Sequence, residues 1–303
     1  MSIEDEEEPR DRYIIAPVGI AVGRVETGIL QLLKTRSVLP HVIYLVTNPV
    51  WTKDLEYVKR YVEPLLTKLK SFERIVNIEI VEMLIDDFDE AFTGIFQLIS
   101  RLISQRRDVT VYLDCTSAPK TWLFACRDMV ELFRGVRIYY VNRSKDPKYA
   151  ITFADYDKKG ALDPGGDLWT YPSKMPPDTL PQTIVPAIIR NEPAKKPHKD
   201  LLQILWMYEL DRGASAPPVS NRETLNWLVR HKDGWKKSEA HLTRVSKIMS
   251  ILEDAGLVII PVSERKRGFA LTEKGLRLVK QLFGPDERRS EENEKHAELP
   301  SNR

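Results

Sequence analysis

A chain of 303 residues, 42% apolar and 30% charged, has room for a sizeable core and reads as a soluble globular protein of two domains, not one. No apolar run is long enough to span a bilayer, and the acidic stretch Glu4 to Glu8 is the wrong chemistry for a secretory signal, so a cytoplasmic protein with no membrane partner is expected. The net charge of +2 excludes nothing by itself, because the charges are unevenly spread. Residues 1–12 are predicted to be a disordered acidic head, and residues 285–303, rich in Glu, Arg, Ser and Asn, a disordered tail. Cys115 and Cys126 are the only cysteines. Their spacing fits neither a metal knuckle nor a redox pair, which predicts reduced thiols.

Tyr13 to Val18 is a short apolar run suited to a buried parallel strand. Gly19, Gly23 and Gly28 then punctuate a loop that leads into a helical pattern at Ile29, Leu32 and Leu33. This is not the dinucleotide fingerprint, because the glycine spacing is wrong and Asn48 and Pro49, not an acid, follow the second strand, Val42 to Val46. An amphipathic helix is predicted from about Thr52 to Lys70, a third strand from Ile75 to Val81, and a helix after Asp86 to Asp89 with Phe92, Ile95, Phe96, Ile99 and Ile103 along one side. The fourth strand, beginning at Val109, ends in the small polar turn Asp114, Cys115, Thr116, Ser117, Ala118. Pro119 and Lys120 then open a helix to about Phe133, and Val136 to Val141 is a fifth strand. Short side chains after a parallel strand allow backbone N–H groups and a helix N-terminus to approach an anion closely. Alternating strands and helices at this spacing predict an α/β fold, a Rossmann-like, doubly wound, mostly parallel sheet over residues 13–160. Tyr149 to Phe153 is expected to pair with the fifth strand as a hairpin.

Prolines recur through residues 161–197, which read as a partly extended linker with room for one short element at Thr183 to Ile189. A second composition begins at His198. Helices are predicted at His198 to Leu210, at Thr224 to Val229, and from a Ser238 cap to Ala255, stopped by Gly256. Leu257 to Val262 and Gly268 to Leu271 form a hairpin around the charged turn Ser263 to Arg267, and Thr272 caps a last helix. Three helices, a hairpin and a closing helix make a winged helix-turn-helix domain over residues 198–284.

From His198 to Gly284 there are fifteen Lys/Arg against ten Asp/Glu. In the usual docking the third helix enters the major groove and the wing follows the adjacent backbone of double-stranded DNA. A helical wheel sets Thr243, Lys247 and Ser250 opposite the apolar side and Arg244 at its flank, as candidate base or backbone contacts. Arg265, Lys266 and Arg267 at the wing tip suit phosphate. His241 falls towards the apolar side and is expected to be packed. The alternative is a solvated hairpin on a protein-interaction module.

A Gly-punctuated loop after strand one, the turn D-x-T-S-x-x-K at Asp114 to Lys120, and a C-terminal winged helix together resemble the CRISPR-associated CARF family. More narrowly, they are similar to archaeal CARF and winged-helix regulators encoded near CRISPR loci, which act in antiviral defence. The family turn reads like T-G-G-T-K or T-S-G-T-K and contacts a cyclic oligoadenylate. Thr116, Ser117 and Lys120 match it, while Ala118 adds a methyl group and Pro119 removes both a hydroxyl and an N–H. The resemblance implies a cyclic tetra- or hexa-adenylate as ligand. It would be held by Gly19, Gly23 and Arg24 of the first loop, Thr47 and Asn48 of the second, and Thr116, Ser117, Ala118 and Lys120 of the fourth. The same Thr116 and Ser117 would also serve as ordinary helix caps. The resemblance further implies a homodimer with one symmetric ligand across both copies, a symmetry that a winged helix reading a palindrome shares.

The expected function is therefore a ligand-responsive transcriptional regulator with no catalytic residue, metal or cofactor. A ring nuclease that cleaves its own ligand is the rival from the enzyme class, needing only an in-line ribose hydroxyl with Lys120 or Arg24 to stabilise charge. The sequence carries no P-loop, HExxH or GxSxG pattern and no acidic cluster for a catalytic metal.

Overall fold

Apolar, β-branched runs build the centre of the first unit. The computed structural model describes residues 11–18, 25, 28, 29, 32, 40–53, 55–69, 76–106, 108–116, 118–141, 168–171, 180–212, 218–260 and 268–284. Strands β1 (Asp11–Pro17), β2 (Val42–Thr47), β3 (Asn77–Glu82), β4 (Val109–Asp114) and β5 (Val136–Val141) are parallel. Strand β6 (Leu168–Tyr171) runs antiparallel to β5, and the order across the sheet is β3-β2-β1-β4-β5-β6. This is the α/β, Rossmann-like parallel sheet expected from the alternation. The antiparallel partner of β5 is Leu168–Tyr171; Tyr149 to Phe153, expected in that role, lies outside the described residues. Strand β3 starts at Asn77, two residues later than expected, and as an edge strand it leaves Ile80 exposed.

Side chains alternate between the two faces of the sheet. Ile14, Ala16, Ile43, Leu45, Tyr112 and Tyr139 form one face, covered by Val25, Ile29 and Leu32 at helical spacing and by Tyr57, Val62, Leu65 and Leu69. These last residues lie on what the sequence predicts as a single helix. The structure instead has two short helices, α1 (Pro49–Thr52) and α2 (Leu55–Tyr57), then a π-helical turn at Val58–Val62 and α3 (Glu63–Leu69). Pro64 has no N–H to give to a carbonyl four residues back, and the Glu63 N–H reaches Val58 O instead, so the α-ladder is interrupted there. Helices α4 (Phe88–Gln105), α5 (Lys120–Leu132) and α6 (Leu180–Ile189) pack on one another, with α4 against β4 and α5 against β5.

The boundary between the two units falls between Arg190 and Asn191. Strand β6 and helix α6, both inside the stretch expected as linker, therefore belong to the first unit. The second unit holds α7 (Lys196–Arg212), α8 (Asn221–His231), α9 (Glu239–Asp254), the antiparallel pair β7 (Val258–Ile259) and β8 (Ala270–Leu271), and α10 (Glu273–Phe283). Its helix ends are set by local chemistry. Ser220, Ser238 and Thr272 each accept a first-turn N–H. Gly256, at φ +65°, lets the Leu257 N–H bond back to Leu252 O and stops α9. Among the described residues no helix is long and apolar enough to cross a membrane.

Gly275, in the first turn of α10, is where two backbones meet, and a Cβ there would land on the carbonyl oxygen of Leu257. Gly275→Ala is expected to cost about 1–3 kcal/mol, because backbone on both sides must shift. Urea unfolding of the two proteins checks this, and equal midpoints would contradict it.

Candidate functional site

In a sheet of order 3-2-1-4-5 the chain reverses its winding direction between β1 and β4, and the crevice beyond their carboxyl ends is the natural place for a ligand. All the strands that meet there are parallel, so the ends of β2, β1 and β4 lie at one sheet edge. Thr47 follows Leu45 by two residues and Asp114 follows Tyr112 by two, which places both on the face that carries those two core residues.

The turn after β4 is organised by Asp114, whose side chain is fully buried. Its Oδ1 accepts the Thr116 N–H at 2.7 Å, closing an Asx turn. Its carbonyl accepts the indole N–H of Trp122 at 2.8 Å, which ties the strand end to the first turn of α5. The Thr116 hydroxyl also bears on the carboxylate. Tyr139, directly opposite on β5, is close enough to favour the charged form, yet its hydroxyl and Asp114 Oδ2 make no well-formed hydrogen bond. Burial outweighs these favourable contacts and pushes the Asp114 carboxyl up to about 6. Cys115 and Cys126 are free and buried beside this cluster. Burial, and then the neighbouring Cys115, push the Cys126 thiol well up, which keeps it protonated.

Thr116 and Ala118 sit in the turn, and Lys120 is exposed as the first residue of α5. Pro119 is the N-cap of that helix and supplies no side-chain hydrogen bond of its own. Thr121 donates its hydroxyl hydrogen to Ile85 O at 2.7 Å and fastens α5 to the segment after β3.

At the end of β2, Thr47 is buried, and its hydroxyl has no hydrogen-bond partner among the described residues. Asn48 is committed to structure. Its Oδ1 accepts the Val50 N–H at 2.9 Å and caps α1, while its Nδ2 donates to Asp86 Oδ2 at 2.8 Å. Gly19, Gly23, Arg24 and Ser117 lie outside the described residues, as do Arg265, Lys266 and Arg267. The structure thus brings Thr47, Thr116, Ala118 and Lys120 to one edge. It adds Asp114 and Trp122, which hold the turn and which ligand-site reasoning from sequence passed over. The Asp-x-Thr spacing of an Asx turn was the available signal for the first.

In the second unit, Thr243, Arg244, Lys247 and Ser250 are exposed along α9, while Val245, Ile248, Met249 and Leu252 are buried on its other side. Ser220, Asn221 and Arg222 at the start of α8 and Leu242, Thr243 and Ser246 of α9 line an open depression of about 430 Å³. His241 packs edge-on against Trp235, with ring centroids 5.6 Å apart, and accepts the Lys236 N–H at 2.7 Å.

No family model matches the chain, and no curated protein matches it in sequence. Among solved structures it is similar to Enterococcus italicus Csm6 bound to cyclic hexa-2′-fluoro-hexa-dAMP. The identity is 14% and the TM-score 0.37, over 81% of this chain and 55% of that one. It is also similar to Can2 from Sulfobacillus thermosulfidooxidans in complex with cyclic tetra-adenylate, at 12% identity and a TM-score of 0.31, over 96% of this chain and 67% of that one. The chain thus spans little more than half the length of the first of these structures.

Proposed function

We propose that the first unit binds a cyclic oligoadenylate and that the second, a winged helix-turn-helix, binds duplex DNA in response. The chain would then be a ligand-responsive, homodimeric regulator of CRISPR-associated genes. The observation that carries the reading is the turn at the β1/β4 switch point. It is braced internally by Asp114, and it delivers the N-terminus of α5, with Pro119 as its N-cap, and an exposed Lys120 to the sheet edge where Thr47 also lies. Donors and one cation converging on a small-residue turn suit a phosphodiester. The resemblance of Asp114 to Lys120 to the CARF turn narrows the phosphodiester to a cyclic oligoadenylate. A two-fold ligand and a palindromic operator ask for the same dimer symmetry. For the second unit, the exposed row Thr243, Arg244, Lys247 and Ser250 supports a reading helix.

Calorimetry with cyclic tetra- and hexa-adenylate tests the sensor. The wild-type protein is expected to bind one of the two rings. Lys120→Ala is expected to weaken that binding about ten-fold to a hundred-fold, the range for a lost hydrogen bond to a charged group. No heat with either ring would overturn the reading.

A further inference from the structure

Trp235 joins three parts of the second unit. It is 8% exposed, and its indole N–H donates to Asp200 Oδ2 of α7 at 3.2 Å, with Asp200 itself 7% exposed. The His241 ring stands edge-on to it. Over its face lies the guanidinium of Arg244, 5.3 Å from the ring centroid. Arg244 is exposed, and among the described residues it has no carboxylate partner. The nearby His198 carries no charge near neutrality, since burial, then Lys195 and Arg244, lower its pKa to about 4. Lys236 and Lys237, just before α9, are exposed cations on the same stretch of chain.

A guanidinium held over an indole by cation–π attraction still has its N–H groups free to turn to a planar acceptor. It also loses rotamer freedom before any ligand arrives, so less is lost on binding. We infer that Trp235 is a positioning residue for duplex binding. It holds Arg244 over its ring so that the guanidinium grips a DNA phosphate bidentately, with Lys236 and Lys237 adding unspecific attraction. This rests on the DNA-binding reading of the second unit. It places Arg244 ahead of Lys247 as the principal contact of α9, and it gives Trp235 a task beyond packing.

The test is fluorescence anisotropy of the full chain with a labelled mixed-sequence DNA duplex over a salt series. Arg244→Ala is expected to weaken binding at least ten-fold and to reduce the slope of log affinity against log salt by about one. Arg244→Lys, which keeps the charge but has neither planar fork nor stacking face, is expected to keep the slope and still bind several-fold more weakly. Trp235→Phe retains a ring under Arg244 and is expected to stay within about two-fold of wild type, whereas Trp235→Leu is expected to match Arg244→Lys. Trp235→Leu combined with Arg244→Ala is expected to bind no more weakly than Arg244→Ala alone. Losses that add in the double variant, or Arg244→Lys binding like wild type, would overturn the inference while leaving DNA binding intact. The Arg244 variants alter only an exposed side chain, so they decide the matter even if Trp235→Leu unfolds. A wild-type protein with no salt-dependent duplex affinity would remove the DNA reading itself, and this inference with it.

Discussion

Asp114→Asn is expected to stabilise the first unit at neutral pH and to change little near pH 4. Burial raises the native carboxyl to about 6 against an ordinary value of 3.8, even with Thr116 and Tyr139 opposing the rise. The folded state therefore binds the proton more tightly than the unfolded chain. The stability Asp114 contributes is fully present below about pH 3.8 and is lost as pH rises through 6. The loss amounts to about 3 kcal/mol, or about 6–12 °C in Tm for a unit of this size. Asparagine carries no charge to bury, and its Oδ1 can still accept the Thr116 N–H that closes the turn. Melting curves of both proteins from pH 4 to pH 8 should coincide at the acid end and separate up to about pH 6.5. A difference that does not vary with pH, or an asparagine variant that is less stable at pH 7.5, would contradict this. The same linkage reaches the proposed ligand. An ionised Asp114 beneath the turn repels an anion seated on it, so Asp114→Asn should also bind a cyclic oligoadenylate more tightly above pH 6.

That carboxylate illustrates which features could be read from the sequence. Strands β1, β2, β4 and β5 stood out as β-branched runs because they are buried on both faces, and the ends of α9 and α10 stood out because Ser238, Gly256 and Thr272 act locally. Features that depend on distant partners did not. Leu168–Tyr171 lies in a stretch the prolines mark as linker, and nothing near it in sequence says that it pairs with β5. Helix α6 contains Pro181 and Pro186, which propensity places in a linker. Pro181 costs nothing in a first turn, and Pro186 is tolerated because Ile184, Val185 and Ile188 are buried around it. Asn48 looked like a ligand contact, since its residue type suits both roles, and its structural partner Asp86 is 38 positions away. The contact of Arg244 with the Trp235 ring is likewise a tertiary fact, between residues nine positions apart on a loop and a helix.

Trp122→Ala is expected to be the most damaging single change in the first unit, and the reason joins the core to the proposed sensor. Trp122 is completely buried, in the first turn of a helix whose buried side continues through Ala125, Cys126 and Met129. Truncation to alanine leaves a cavity the size of an indole and should cost about 3–5 kcal/mol. It also removes the donor to Asp114 O, leaving that carbonyl at the strand end without the indole. Trp122→Phe separates the two effects. It fills most of the space but cannot donate, so it should cost less than alanine, about 1–3 kcal/mol for the unmet carbonyl together with a smaller void. If the indole N–H merely stabilises, Trp122→Phe should lower the urea midpoint and leave the affinity of folded protein for cyclic oligoadenylate unchanged. If it fixes the geometry of the turn, affinity should fall as well, because Thr116 and Lys120 are positioned from the two ends of the segment that this bond closes. The second outcome is expected, since this bond joins the strand end directly to the first turn of the helix across the turn between them. A Trp122→Phe protein that binds the ligand as wild type does would confine Trp122 to the core. Gly275→Ala, which perturbs only the second unit, is the control that should lose stability without losing ligand affinity.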